Sequence, residues 1–595
     1  MSSTPTDRVR AAYRTISEVD RPEVWITLRD EHDLLVEAKE IEDRLASGEH
    51  LPLAGLTLAV KDNIDVAGLP TTAACPAYAY TPAVSATAVT RLTDAGALVL
   101  GKTNLDQFAT GLVGTRSPYG AVRHAHRPDR ISGGSSSGSA VAVALGIADL
   151  ALGTDTAGSG RVPAALHGLV GVKPTVGLVP NTGVVPAARS YDCVTIFAAT
   201  LTLAQRAIAL MVGRDPLDPT SRTWPASVCL GVGPSPRVAV PDAAGLAPLS
   251  AGAADAFRAA ADRLRADGVV VDEIDIAPFL DAAALLYGGA LVAERYAAVG
   301  GFLSERAGPD GWAACDGIDP TVAAIILAAA TVPAHRFVAD HERLDSHRAA
   351  AAAALAGFDA LLLPTTTGHP TIADVQADPV GVNSRMGVYT NFVNLLDMAA
   401  VAAPAGTADG SPFGVTVITR AFDDQVAIDL AARFTGEQAA EPLPGSGVDL
   451  VVFGAHLRGQ PLNGELTGLG ARFVGTVRTA PVYRMVALST VPPKPGVLKV
   501  EPAGGGAGPG HGAAPERGGG ALSGERWTMS PAALGTFLAG LPAPMSLGVI
   551  ELDDGEAVTG FHCDPVAAGR GRDITSYGSW PAYLAVCAAG GPAPG

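Results

Sequence analysis

The chain has 595 residues, a formal net charge of −17, 17% charged residues and 5% aromatic residues. That length exceeds one ordinary domain, and an acidic balance spread along the chain argues against nucleic-acid binding, which favours basic patches. Cys75, Cys193, Cys229, Cys315, Cys563 and Cys587 show no CxxC pair, the twelve histidines form no cluster, and so neither disulfide nor metal site is expected.

The N-terminal stretch lacks an apolar signal core, and the longest apolar runs, such as 322–332, are too short to span a bilayer. A protein free of the membrane, in the cytoplasm, is expected. From Arg8 to about Leu45 the spacing of Leu34, Leu35, Ala38 and Ile41 predicts helices. Leu56, Leu58 and Val60 alternate with Thr57, Ala59 and Lys61, which predicts a strand with one apolar face. Ala97–Lys102 ends in a lysine in the same way, and the residues alone do not choose between Lys61 and Lys102.

Two glycine-rich serine loops follow, Gly133–Ser139 and Asp155–Arg161. Such stretches are often linkers. Here the apolar run Ala140–Leu145, read as a buried helix, and Ile147–Leu152 lie between the loops, and a tether would not be embedded in core segments. A serine hydroxyl needs an adjacent base to act as a nucleophile. No histidine falls within either loop, and His124, His126 and His167 stand in ordinary contexts. A lysine whose pKa is lowered by burial can serve, while glycines let backbone N–H groups converge on an oxyanion.

Farther on, strands at 238–240 and 269–271 flank a helix at 251–266. Helices dominate 278–355, and a buried strand at 358–363 ends at Pro364. This alternation predicts an α/β fold with a mixed sheet covered by helices. The segment 436–447 reads as a linker, dividing a catalytic domain (1–435) from a second domain (448–595). Strand-like pieces recur there at 448–454, 472–479, 483–487, 496–500 and 547–552, with one helix near 531–538. The second domain therefore reads as β-rich, interrupted by a mobile Gly-rich insert at 504–520.

The motifs Val60-Lys61-Asp62-Asn63-Ile64, Gly133-Gly134-Ser135-Ser136 and Gly153-Thr154-Asp155-Thr156-Ala157-Gly158-Ser159-Gly160-Arg161-Val162-Pro163-Ala164 resemble the amidase signature family. The resemblance implies a Ser–cisSer–Lys triad, with Ser159 as nucleophile, Ser135 as the cis-bonded bridge and Lys61 as base. The oxyanion would be held by backbone N–H groups at Thr156, Ala157, Gly158 and Ser159. Ala157 stands where the family usually has glycine, and a positive φ there would be strained.

Thr103–Gly111, Gly68–Pro76 and Thr390–Asp397 are similar to the allophanate hydrolases within that family. Gln107 stands where general amidases tend to carry glutamate, and Ala157 is a habit of the same group. The implied substrate is allophanate, a small anionic amide, whose carboxylate would be held by Tyr287 and Arg295. On an unbroken helix eight residues rise about 12 Å and end about 80° apart around the axis. The pair then needs a bend near Gly288-Gly289, or a substrate lying along the helix. The commoner fate of such an arginine is a surface pair, here with Glu294.

The segments 454–464, 492–496 and 539–544 resemble the second domain of allophanate hydrolases and the γ-glutamylcyclotransferase-like fold. Gly454-Ala455-His456 departs from that fold's tyrosine–glycine–serine pattern. The resemblance implies that this domain assists decarboxylation of N-carboxycarbamate, with His456 as general acid or binding group and Arg478 and Arg484 supplying positive charge. It further implies a homodimer through the amidase domain, a metabolic link to a biotin-dependent urea carboxylase, and no cofactor. Two other readings stay open: a broad-specificity amidase whose second domain is structural, and a non-catalytic scaffold.

Overall fold

The computed structural model describes residues 4–306, 317–437, 442–443, 445, 447–500 and 518–589. Half of the expected linker (438–441, 444 and 446) and all but 518–520 of the Gly-rich insert lie outside the described residues. The chain divides into two compact units: Met1–Trp224 with Ser235–Leu443, and Pro225–Pro234 with Pro444–Gly595.

The first unit is built on one mixed sheet. Its strands in chain order are β1 (Trp25–Leu28), β2 (Thr57–Lys61), β3 (Leu98–Thr103), β4 (Leu150–Asp155), β5 (Val170–Lys173), β6 (Cys193–Ala198), β7 (Arg237–Pro241), β8 (Val270–Ile274), β9 (Ala360–Pro364), β10 (Met398–Ala408) and β11 (Ser411–Arg420). They lie in the order β1-β3-β2-β4-β6-β5-β10-β11-β9-β7-β8. The central strands β2, β3 and β4 run parallel, with Val60 opposite Lys102 on one side and Leu152 on the other. β2 is buried on both faces, not one. A strand sandwiched between helix layers has no solvent side, and Lys61 is carried inward with it.

Small residues set the packing. The core around β2 and β4 gathers Ala59, Ala140, Ala142, Ala151 and Ala164 with Leu98, Leu100 and Phe197. Helix Ser137–Ala144 is buried over its first seven residues, through Val143, so helix and sheet approach closely and bring the ends of both serine loops together. Helix Ala251–Ala266 is capped by Ser250, whose Oγ accepts from Ala253 N. Among the described residues no single helix is long and apolar enough to cross a membrane.

The second unit holds β12 (Val448–Val452), β13 (Arg472–Arg478), β14 (Tyr483–Leu488), β15 (Lys494–Lys499), β16 (Ser523–Met529), β17 (Met545–Glu551), β18 (Ala557–Cys563) and β19 (Arg572–Asp573). One sheet runs β13-β16-β12-β18-β17 and another β15-β14-β19. The interior strand β16 is absent from the expected elements, because its residues do not alternate apolar with polar. Its polar residues are used: Glu525 accepts from Arg458 N in the loop after β12, and Arg526 pairs with Asp449 of β12 and with Glu556 just before β18. The unit has several helices rather than one, including Pro531–Ala539, Pro565–Arg570 and Trp580–Ala588. Pro225–Pro234 joins it through Leu230 N to Gly470 O (2.9 Å) and Ala532 N to Ala226 O (3.0 Å).

Candidate active site

Lys61 ends β2 fully buried, with Nζ 2.7 Å from Ser135 Oγ and 2.7 Å from Thr154 Oγ1. Burial, with a smaller contribution from Arg295, lowers its pKa to about 7, overriding Asp106, Asp155 and Asp192, which raise it. An amine poised there is neutral in a large fraction of molecules at physiological pH. Lys102 is the different case. Its Nζ lies 3.0 Å from Asp62 Oδ1 with neither side chain exposed, and it donates to Pro70 O and Thr71 Oγ1. Of the two lysines, only Lys61 faces a serine.

The Gly134–Ser135 peptide is cis. The loop is held by Asp106, whose N–H donates to Ser135 O and whose carboxylate accepts from Val113, Gly114 and Arg116 N–H at 2.9–3.1 Å. The second loop is organised by Asp155. Its carboxylate accepts from Gly158 N (2.8 Å), Gly160 N (3.0 Å) and both Nε and Nη2 of Arg161 (2.9 Å each). Burial pushes the Asp155 carboxyl up, but the Arg161 guanidinium prevails and its pKa is lowered.

This corrects the expected oxyanion hole. Gly158 N–H is committed to Asp155, whereas Thr156, Ala157 and Ser159 N–H have no acceptor among the described residues. The left-handed backbone falls on Gly158 (φ +133°) and not on Ala157, so alanine is accommodated without strain. Thr156 Oγ1 donates to Asp192 Oδ1 (2.5 Å). Ser159 is 3% exposed. Ser135 and Ser159 are not hydrogen-bonded to each other here; such contacts often tighten only with substrate bound.

Tyr287 and Arg295 do meet. Helix Ala277–Gly288 breaks at Gly289, and the chain bends by 47° into the next helical segment. The break has a local cause: a Cβ at Gly289 would lie 2.7 Å from Leu285 O and from Asp340 Oδ2, while that carboxylate takes Ala290 N–H at 2.6 Å. Arg295 Nη2 donates to Tyr287 Oη (2.8 Å), and Nη1 to Thr110 Oγ1 (2.9 Å) and Ala109 O (3.4 Å). Arg295 is 2% exposed, its Nε has no partner, and it forms no ion pair with any described residue. Glu294 does not pair with it, taking Ser190 N–H instead. A cavity of about 450 Å³ opens beside Tyr287, lined also by Arg116, Gly288, Val292, Asn383 and Asn391.

In the second unit His456 is 5% exposed. Its Nε2 lies 2.9 Å from Glu465 Oε2, and its ring stacks on Phe561 at 5.0 Å. Burial lowers its pKa against the pull of Glu465. The recess it shares with Lys494, Met545 and Phe561 holds about 10 Å³, too little for a substrate. Arg484 is engaged by Asp573 at 2.9 Å. The cation beside His456 is Lys494, which no spacing in the chain singles out.

The histidines cluster after all. His124 stacks on His167 with ring centroids 4.2 Å apart, and His369 and His126 lie 4.9 and 6.2 Å from His124. Backbone N–H groups of His126 and Arg127 donate to His124 Nδ1, which leaves Nε2–H for Leu166 O. These rings are packing groups, and among the described residues no set of three or more His, Cys, Asp or Glu could hold a metal.

Comparison with known proteins identifies the family. Residues 7–427 match the amidase family model, and residues 448–585 match the allophanate hydrolase C-terminal domain. The urea amidolyase of Saccharomyces cerevisiae is 39% identical over 96% of this chain and 31% of its own length. That of Lachancea kluyveri is 40% identical over 96% of this chain and 32% of its own length, so the chain spans about a third of these curated relatives. The selenomethionine structure of Kluyveromyces lactis allophanate hydrolase superposes with a TM-score of 0.86 at 36% identity, covering 98% of this chain and 97% of that one. The chain belongs to the amidase family, with an allophanate hydrolase C-terminal domain following the amidase domain.

Proposed function

We propose that the chain hydrolyses allophanate to ammonia and carbon dioxide through an acyl-enzyme on Ser159. The observation that carries the substrate assignment is Arg295, a buried guanidinium whose hydrogen-bond partners among the described residues are neutral and which forms no ion pair with them, Asp192 acting on it only from a distance. Buried charges are normally paired, so this one is matched to an anion that arrives with the substrate. A fork of donors suits a carboxylate, and Tyr287 Oη completes the cradle.

Neutral Lys61 takes the Ser135 proton while Ser135 takes that of Ser159, whose Oγ attacks the terminal amide carbon. Thr154 Oγ1 and O occupy the other directions around Nζ, which leaves its lone pair for Ser135. The oxyanion is held by N–H groups of Thr156, Ala157 and Ser159. The proton returns through the same relay to the leaving nitrogen, ammonia departs, and water releases N-carboxycarbamate. That product loses carbon dioxide with help from the second unit, although the recess that His456 shares with Lys494 does not admit it as it stands. On the same reading the protein is a cytoplasmic homodimer that consumes the product of a biotin-dependent urea carboxylase.

The test is ammonia release from allophanate compared with malonamide, biuret and simple amides, for wild type and Arg295→Ala. The expected result is a kcat/KM for allophanate at least about 100-fold above the neutral amides, lost in Arg295→Ala; this corresponds to about 2.7 kcal/mol, within the range for a charged hydrogen-bonded contact. Equal use of neutral amides, untouched by Arg295→Ala, favours the broad-specificity amidase.

A further inference from the structure

Gln107 begins a short turn, Gln107–Ala109, and its side chain is fully buried. Both donors and one acceptor direction of its amide are used. Nε2 donates to Ala74 O and to Gly317 O, each at 2.7 Å, and Oε1 accepts from Asp319 N at 2.9 Å. The three contacts join separate pieces of chain: the loop after β2, the turn itself, and the start of helix Pro320–Ala328, which Asp319 caps through Val322 N.

Both sides of Arg295 hang from these pieces. The turn continues through Phe108 (φ +50°) and Ala109 (φ +52°), a left-handed pair that non-glycine residues rarely adopt. That backbone aims Ala109 O and Thr110 Oγ1 at the Arg295 guanidinium. On the other side, Arg295 rides on helix Ala293–Arg306. Its Val299 and Leu303 pack with Val322 and Ile326 of helix Pro320–Ala328 and with Phe108 in one cluster. The Gln107 amide thus ties the turn that receives the guanidinium to the helix that backs its supplier.

We infer that Gln107 is a positioning residue for the anion subsite: its amide fixes where Arg295 stands, and so sets preference for a carboxylate-bearing amide without touching the substrate. The inference rests on the assignment of Arg295 to the substrate carboxylate. Glutamate cannot do the same work. It is isosteric, but as a carboxylate it has no donor for Ala74 O or Gly317 O, and it would set a negative charge against two carbonyl oxygens. Methionine keeps the volume and loses all three bonds.

The experiment uses the full chain with Gln107→Glu, Gln107→Met and Arg295→Ala, assayed for ammonia release from allophanate and from malonamide, a neutral diamide. For both Gln107 variants we expect KM for allophanate to rise at least about tenfold with kcat within about threefold, and kcat/KM for malonamide to stay within about threefold. The malonamide arm reports that the variants are folded and the triad intact. If both substrates lose kcat/KM equally, or KM for allophanate is unchanged, the inference is overturned. Arg295→Ala separates the two claims: unchanged KM for allophanate there defeats the subsite assignment itself, whereas raised KM there with unchanged Gln107 variants defeats only the role of Gln107.

Discussion

Lys61 Nζ and Ser135 Oγ stand 2.7 Å apart, neither side chain exposed. Removal of the lysine from water is the largest influence on its pKa, and it prevails over three carboxylates. One consequence is a pH limb. The base works only when deprotonated, so kcat/KM for allophanate should fall tenfold per pH unit below about 7 and level off above it. A profile flat down to pH 5.5 would exclude Lys61 as the titrating base.

The second loop predicts a steric result. A Cβ at Gly158 would lie 2.3 Å from Thr390 Oγ1, at a φ of +133°. Such a backbone conformation costs roughly 1–3 kcal/mol in a non-glycine residue. Gly158→Ala should lower the thermal midpoint and cut kcat about 100-fold or more, because Ala157 and Ser159 N–H move with the loop. Adding Thr390→Ala should return part of the stability by removing the clash while leaving the φ strain. No recovery in the double variant would show that the contact is not the cause.

The histidine stack predicts an acid-labile fold. Burial, helped by nearby Arg127, lowers the pKa of His124 and of His369 to about 4. A histidine with a depressed folded pKa contributes stability above its unfolded value, about 6.5, and that contribution is lost as pH falls toward the folded value. The thermal midpoint should therefore drop between pH 6.5 and 4. His369→Gln retains an amide donor for Ile131 O and removes one titrating ring, so its slope over that window should be shallower. An unchanged slope would mean that other groups govern acid unfolding.

Much of the site is legible in the chain because its parts are local. The two serine loops and the strand ending in Lys61 follow from short spacings; the Tyr287–Arg295 pair comes from the family resemblance, and of the two arrangements it allows the bend is present, at Gly289. What sequence spacing does not carry is the acid framework. Asp106, Asp155 and Asp192 look like ordinary loop carboxylates, yet each is buried and takes hydrogen bonds from backbone N–H groups. An aspartate three and five residues ahead of loop amides was the signal for Asp155, and it bears directly on Gly158. His124, His167 and His369 are brought together only by the tertiary fold. Strand β16 was hidden because Glu525 and Arg526 find partners far away in the chain, Arg458 and Asp449.

Replacement of the base tests the account most directly. Lys61→Met keeps the side-chain length and the buried packing but removes the amine. With a thermal midpoint at or above that of wild type, its kcat/KM for allophanate should fall by about 1,000-fold or more, within the range of about 10²–10⁴ for general acid–base catalysis. Turnover within tenfold of wild type at pH 8 would contradict the account.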